Sequence, residues 1–265
     1  MARLLAVLLF LSAAQAHAEE VVLYGAGSLK DALTAITAEY TRNSGIAVRT
    51  AFGPSGLMRE KIDAGDKVDL FASADMGHAL KLREDGRAAA TVMFTRNKLC
   101  AFAKPEAKLT AATFAERLLD PAVKLGTSTP KADPGGDYTR AMFQLIDKAH
   151  PGAFAVLDAK AQKIVGGTTA PDPEKPDPVA AGFASGEINA MIGYCSGTEQ
   201  RRKQTPDLDV VAVPEEYAAE PEYGLAIMSL EKPAAVALAF AILSPEGQTM
   251  LQRFGFAPVG LPAKP

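Results

Sequence analysis

The sequence predicts an α/β protein of two lobes, each a mixed, mostly parallel sheet flanked by helices, joined by two crossover strands. Three observations predict it. Short apolar runs alternate with stretches of helical period. The alternating series is built once and then a second time. The end of the chain returns with a strand and helices that complete the first series.

The elements follow in order. Val21, Val22, Leu23 and Tyr24 form a continuous apolar run, the mark of a buried strand. Leu29, Leu33, Ile36 and Tyr40 then recur at helical spacing. Residues 46–52 alternate as a strand, 57–62 give a short helix, 69–72 a third strand and 76–82 a further helix. Strands separated by helices predict parallel pairing with helices on both faces. A second series starts near 98–103. It has helices at 111–118, 138–149 and from Val179, with strands at 123–127, 188–194 and 208–213. The last segment gives a strand at 223–228 and helices at 233–243 and 247–254. The first lobe is therefore assigned to residues 19–99 and 218–265, the second to 100–217, with hinges at 98–101 and 214–217. Residues 170–178 contain Pro171, Pro173, Pro176 and Pro178, which excludes helix or central strand and predicts an exposed loop.

Residues 1–18 read as an export signal. Arg3 supplies the charge, residues 4–14 the apolar run, and Ala16-His17-Ala18 the small-x-small site, with cleavage after Ala18. The apolar run is too short to span a bilayer. The chain is thus expected in the periplasm. Its formal charge of −3 gives no nucleic-acid footprint. In an oxidising compartment Cys100 and Cys195 are permitted to pair, and two separate buried thiols are equally compatible with the residues.

Chemistry-bearing motifs are few. His78 and His150 lack metal-ligand spacing. No Gly-x-Ser-x-Gly elbow, phosphate-binding loop or Cys/His pair is present, so no enzyme is predicted, and Asp69 and Asp75 read as turn and cap residues. What recurs is small polar residues at helix starts: Gly25-Ala26-Gly27-Ser28, Gly53-Pro54-Ser55-Gly56, Asp133-Pro134-Gly135-Gly136-Asp137 and Asp177-Pro178-Val179. Ser28 sits where an N-cap would, with Asp31 three residues on. The first N–H groups of a helix have no internal partner and carry partial positive charge, so several such ends aimed at one point hold an anion without lysine or arginine. In a two-lobed α/β protein that point lies in the cleft, beyond the carboxyl ends of the strands.

The residues 23–33, Phe52-Gly53-Pro54-Ser55-Gly56, 67–75, Ile192-Gly193-Tyr194 and Phe254-Gly255-Phe256 together resemble periplasmic molybdate-binding proteins. The resemblance implies the type II periplasmic-binding fold and closure of two lobes over molybdate or tungstate. It implies a monomer with no cofactor, which feeds an inner-membrane ABC transporter permease. Carried over, Ser28 and Ser55 each donate a hydroxyl and a backbone N–H, Gly135 and Val179 donate backbone N–H groups, and Tyr194 donates its phenol. A sulfate, phosphate, ferric iron or small organic anion binder of the same fold is the alternative. Paired tyrosines among Tyr194, Tyr217 and Tyr223 carry the ferric variant. The resemblance also places Cys100 and Cys195 on strands of the second lobe, where a disulfide becomes the expectation if the strands are neighbours.

Overall fold

A computed structural model describes residues 20–166 and 177–259 of the chain. The signal read at 1–18 and most of the proline-rich segment lie outside the described residues. In chain order the first part forms β1 (Glu20–Ala26), α1 (Lys30–Ser44), β2 (Ala47–Gly53), α2 (Ser55–Asp63), β3 (Leu70–Ser73), α3 (Met76–Glu84) and β4 (Ala90–Arg96). Next come β5 (Leu99–Ala103), α4 (Phe114–Leu119), β6 (Leu125–Ser128), α5 (Pro134–Ala149), α6 (Ala153–Lys160), β7 (Gln162–Val165), α7 (Pro178–Ser185), β8 (Ala190–Tyr194), α8 (Thr198–Gln204) and β9 (Asp209–Ala212). The chain ends with β10 (Glu222–Ile227), α9 (Pro233–Leu243), α10 (Pro245–Arg253) and β11 (Ala257–Pro258).

Two sheets result. The first has the order β11-β4-β10-β3-β1-β2, with β1 parallel to both β2 and β3, and β10 antiparallel to β3 and β4. Strand β1 is flanked on both sides, as its buried Val21, Val22 and Leu23 require. The second sheet has the order β7-β6-β8-β5-β9, with β6 parallel to β7 and β8, and β5 antiparallel to β8 and β9. The chain leaves the first sheet at Asn97-Lys98 and returns between Ala212 and Glu222. Each sheet has its own core. Leu23, Leu33, Leu70, Phe94, Leu225 and Leu238 pack in the first, and Leu99, Phe114, Leu125, Phe143 and Ile192 in the second. Tyr194 packs against both.

Helix α1 meets its core through Leu33 and Ile36, three apart on one face. Helix α5 starts at Pro134, earlier than the apolar period suggests, because Asp133 caps it and proline suits its first position. Four elements carry no legible sequence pattern. Strand β4 does not alternate, α6 and β7 follow α5 after short turns, and α8 (TEQRRKQ) has no apolar stripe and buries no residue. Asp69 accepts the Val22 N–H at 2.8 Å and pairs with Lys232 at 2.7 Å, so it ties β1 to the start of α9.

Cys100 and Cys195 form a disulfide, with S–S 1.99 Å and Cα–Cα 5.0 Å. Strands β5 and β8 are hydrogen-bonded neighbours, with Leu99 opposite Tyr194 and Cys100 opposite Gly193, which brings the next residue, Cys195, within bonding reach. The bond pins the end of the Tyr194 strand to the strand that enters the second lobe. Joining residues 95 apart restricts the unfolded chain, so Cys100→Ala/Cys195→Ala is expected to destabilise the protein by about 2–5 kcal/mol. Denaturation with and without reductant checks this; an unchanged midpoint on reduction contradicts it.

Candidate functional site

Strands β1 and β2 end side by side, with Ala26 opposite Gly53, so the turns that follow emerge together at the carboxyl edge of the sheet. Ser28 lies in a single 3-10 turn, Gly27–Leu29, and Ser55 is the first residue of α2. Ser28 does not cap α1 as its sequence position suggests. Leu29 occupies the cap position, and the intervening turn carries the Ser28 side chain away from the helix start. Its Oγ instead lies 3.0 Å from Tyr223 Oη. Ser55 is buried, and its Oγ accepts the Ala74 N–H at 3.0 Å. That occupies one lone pair and leaves the hydroxyl proton without an acceptor among the described residues.

Tyr194 ends β8 in the other lobe. Its residue surface is half-buried, but its hydroxyl is fully enclosed and makes no well-formed hydrogen bond among the described residues. Its ring stands edge-on to Tyr223, with centroids 5.7 Å apart. Burial pushes the phenol well above its usual range, and the neighbouring Tyr223, Asp133 and Tyr138 add to the shift. Tyr194 is therefore a neutral O–H donor at physiological pH. Tyr223 is fully buried, and Asn97 Nδ2 donates to its hydroxyl at 3.1 Å. Tyr223 thus links Ser28 and Tyr194 across the lobes.

The start of α5 faces the same place. A Cβ on Gly135 would fall 3.2 Å from Ser128 Oγ and 3.5 Å from the Tyr194 ring. The expectation of free backbone donors in the second lobe requires correction, however. Gly135 donates its N–H to Asp133 Oδ1 at 2.8 Å, and Val179 donates its N–H to Asp177 Oδ1 at 3.0 Å. The latter oxygen also accepts from Ala180 at 3.1 Å and from Arg201 Nη1 at 2.7 Å. In both segments an Asp-Pro pair supplies an N-cap carboxylate that takes the N–H an anion needs. Asp133 retains some exposed surface, yet its carboxyl is enclosed by protein. Lost hydration raises it to about 6; the Gly135 hydrogen bond opposes the shift, and Asp137 and Asp75 reinforce it.

The lobes touch here. Gly56 donates its N–H to Ala132 O at 3.1 Å, and Glu222 donates its N–H to Tyr138 Oη at 3.2 Å. Beside the hydroxyl cluster, an open cleft of about 470 Å³ is lined by Asp75, Asp137, Tyr138, Glu220 and Glu222, among others. Among the described residues no basic side chain lines it. Among the described residues no group of three or more His, Cys, Asp and Glu is arranged to hold a metal ion. Pattern reading missed Asn97 altogether, took Asp133 only as part of a helix-start string, and took Tyr223 only as one of the tyrosines of the ferric alternative. The role of each comes from the partner that the fold brings to it: Lys98 and Tyr223 for Asn97, Gly135 for Asp133, Ser28 and Asn97 for Tyr223.

Residues 21–257 match the family described as bacterial extracellular solute-binding protein. The chain belongs to that family. The uncharacterized protein PM1146 of Pasteurella multocida is 35% identical to this solute-binding protein over 243 residues, which covers 89% of this chain and 98% of the relative. The molybdate-binding protein ModA of Escherichia coli is 24% identical over 262 residues, 95% of each chain. The solved structure of the sulfate-binding protein SubI from Mycobacterium tuberculosis superposes with a TM-score of 0.74 at 15% identity, over 91% of this chain and 87% of that one. This last likeness shows the shared two-lobed fold.

Asp133 holds its proton up to about 6 when folded, against an ordinary value of 3.8. The folded state therefore carries the extra proton between those values. The associated stability is fully present below about pH 4 and is lost as pH rises through about 6. Urea midpoints from pH 4 to 7 should show this decline and a flatter profile in Asp133→Asn; an equal slope in both contradicts it. A Cβ on Gly56 would lie 2.4 Å from Lys131 O and 2.9 Å from Ala132 O. Gly56→Ala is thus expected to hold the lobes apart, read as a larger radius of gyration in solution scattering; an unchanged radius contradicts it.

Proposed function

We propose that this solute-binding protein captures a tetrahedral oxyanion, molybdate or tungstate, between its lobes and delivers it to an inner-membrane ABC transporter permease. Residues 1–18 direct export to the periplasm, with cleavage after Ala18. The observation that carries the reading is the enclosed Tyr194 hydroxyl, which has no well-formed acceptor among the described residues and is joined to Ser28 of the other lobe through Tyr223. A buried hydroxyl without a partner costs about 1–3 kcal/mol, and an anion oxygen between the lobes removes that cost. Ser28, Ser55 and Tyr194 are uncharged donors whose protons suit an acceptor-only ligand. Gly135 and Val179 join them only if Asp133 and Asp177 release their caps. The name of the Escherichia coli relative supports the choice of ligand.

Asp133 favours a second reading. Its carboxyl stands beside Tyr194 and suits a ligand that brings its own proton, such as hydrogen phosphate or a small organic anion. Ferric iron is less well served. The Tyr223 hydroxyl is already engaged by Ser28 and Asn97, and burial pushes its phenol, like that of Tyr194, away from the anionic form a metal would take.

Thermal unfolding with molybdate, tungstate, sulfate, phosphate, ferric citrate and organic acids separates these classes. A ligand at a thousandfold excess over its dissociation constant adds about 4 kcal/mol to stability. Molybdate and tungstate are expected to raise the melting temperature most, and no rise with any oxyanion rejects the assignment. Ser28→Ala, Ser55→Ala and Tyr194→Phe should each weaken molybdate binding by about 1.5–3 kcal/mol, the worth of a hydrogen bond to a charged group. Calorimetric titration reads this, and wild-type affinity in all three removes the site.

A further inference from the structure

We propose that Asn97 and Tyr223 are positioning residues that fix Ser28 as an obligatory hydrogen-bond donor to the bound anion, through a one-way chain from Asn97 to Tyr223 to Ser28. The proposal rests on the reading that Ser28 contacts an oxyanion in the cleft. It adds that the site selects for a ligand whose oxygen at Ser28 carries no proton.

The direction of the chain is set at its far end. Asn97 is 2% exposed, and its side-chain Oδ1 accepts the Lys98 N–H at 2.8 Å. Turning the amide over would set its NH2 group against that N–H, donor to donor, so the orientation is fixed. Nδ2 then donates one proton to Ser196 Oγ at 2.8 Å and the other to Tyr223 Oη at 3.1 Å. An amide nitrogen only donates, so Tyr223 receives at this contact. The Tyr223 proton goes elsewhere, and of the two neighbouring hydroxyls, Ser28 and Tyr194, only Ser28 Oγ at 3.0 Å is in well-formed geometry, so the proton is assigned to it. Ser28, receiving from Tyr223, keeps its single proton for the cleft. A ligand that presents an O–H or N–H to Ser28 meets a donor facing a donor.

The phenol is held for this task. The Tyr223 ring is wedged edge-on among Phe94, Tyr194 and Phe256, with centroids at 6.4, 5.7 and 5.5 Å. Burial keeps its proton on. The chain also has an architectural place. Asn97 lies where the backbone leaves the first sheet, and Ser196 follows the disulfide-pinned end of the Tyr194 strand. Chains of hydrogen bonds polarise one another, so each donor upstream strengthens the last one.

The test is a double-mutant cycle on the mature protein, with molybdate as the probe and calorimetric titration as the readout. Ser28→Ala is expected to weaken binding about tenfold or more, and Tyr223→Phe about threefold to tenfold. The double variant should bind no more weakly than Ser28→Ala alone, because Tyr223 acts through Ser28. A merely structural role for Tyr223 would lower affinity by the same factor in both backgrounds. Asn97→Asp reverses the chain, since a carboxylate accepts from Tyr223. It should weaken binding at least as much as Tyr223→Phe, and it serves as the test if Tyr223→Phe fails to melt cooperatively. Additive effects, or wild-type affinity in Tyr223→Phe or in folded Asn97→Asp, overturn the donor chain and leave the site intact. Wild-type affinity in Ser28→Ala, or no molybdate binding by the wild type, overturns the site and the chain together.

Discussion

The Tyr223 hydroxyl is the joint on which the cleft depends. It holds Ser28 of the first lobe, is held by Asn97 at the outgoing crossover, and its ring bears on Tyr194 of the second lobe. Backbone and side-chain groups that belong to different sheets thus meet over a few ångströms, with the acid-free part of the junction built wholly from hydroxyl and amide groups. Such groups keep their protons at neutral pH and need no counter-charge, so they can be buried without the desolvation cost of a lysine or arginine. In the proposed site, closure of the lobes on uncharged donors traps no unpaired cation.

Against this stands a set of carboxylates. Asp133 and Asp177 cap α5 and α7, and Asp75, Asp137, Glu220 and Glu222 line the neighbouring cleft. Capping stabilises each helix by about 1 kcal/mol, but it occupies the N–H groups that a helix start offers to an anion. At α5 and α7 the second lobe has therefore given helix-start donors to its own aspartates, and the Tyr194 hydroxyl stands without a well-formed partner among the described residues. Selectivity in the proposed site follows from that division, since an anion gains most from the serine side and from the phenol.

Much of the architecture was legible because it rests on local pattern. The helical spacing of Leu33 and Ile36 and the apolar run of β1 report burial directly. The pairing of Cys100 and Cys195 was open until neighbouring strands were implied. Strand β4 and helix α8 were not legible, since neither alternation nor an apolar stripe marks them. At the site, Ser28, Ser55 and Tyr194 stand out because each ends a strand or begins a turn in a recognisable string. Asn97 does not, and Tyr223 does so only as a tyrosine of the ferric alternative, because the hydrogen bond that gives each its present role joins residues 126 apart. The Asp-Pro pairs are visible in the sequence as helix starts. That their carboxylates take the N–H groups is a matter of side-chain rotamer, which pattern does not show.

The central claim is that hydroxyls from both lobes converge on one anion. Crystals of the mature protein grown with tungstate test it directly, because tungsten can be located by anomalous diffraction without prior assumptions about the site. A single peak between Ser28, Ser55 and Tyr194, with its oxygens about 2.5–3.0 Å from the hydroxyls, is the expected result. Tungsten seated elsewhere in the molecule, with these three side chains unengaged, would contradict it.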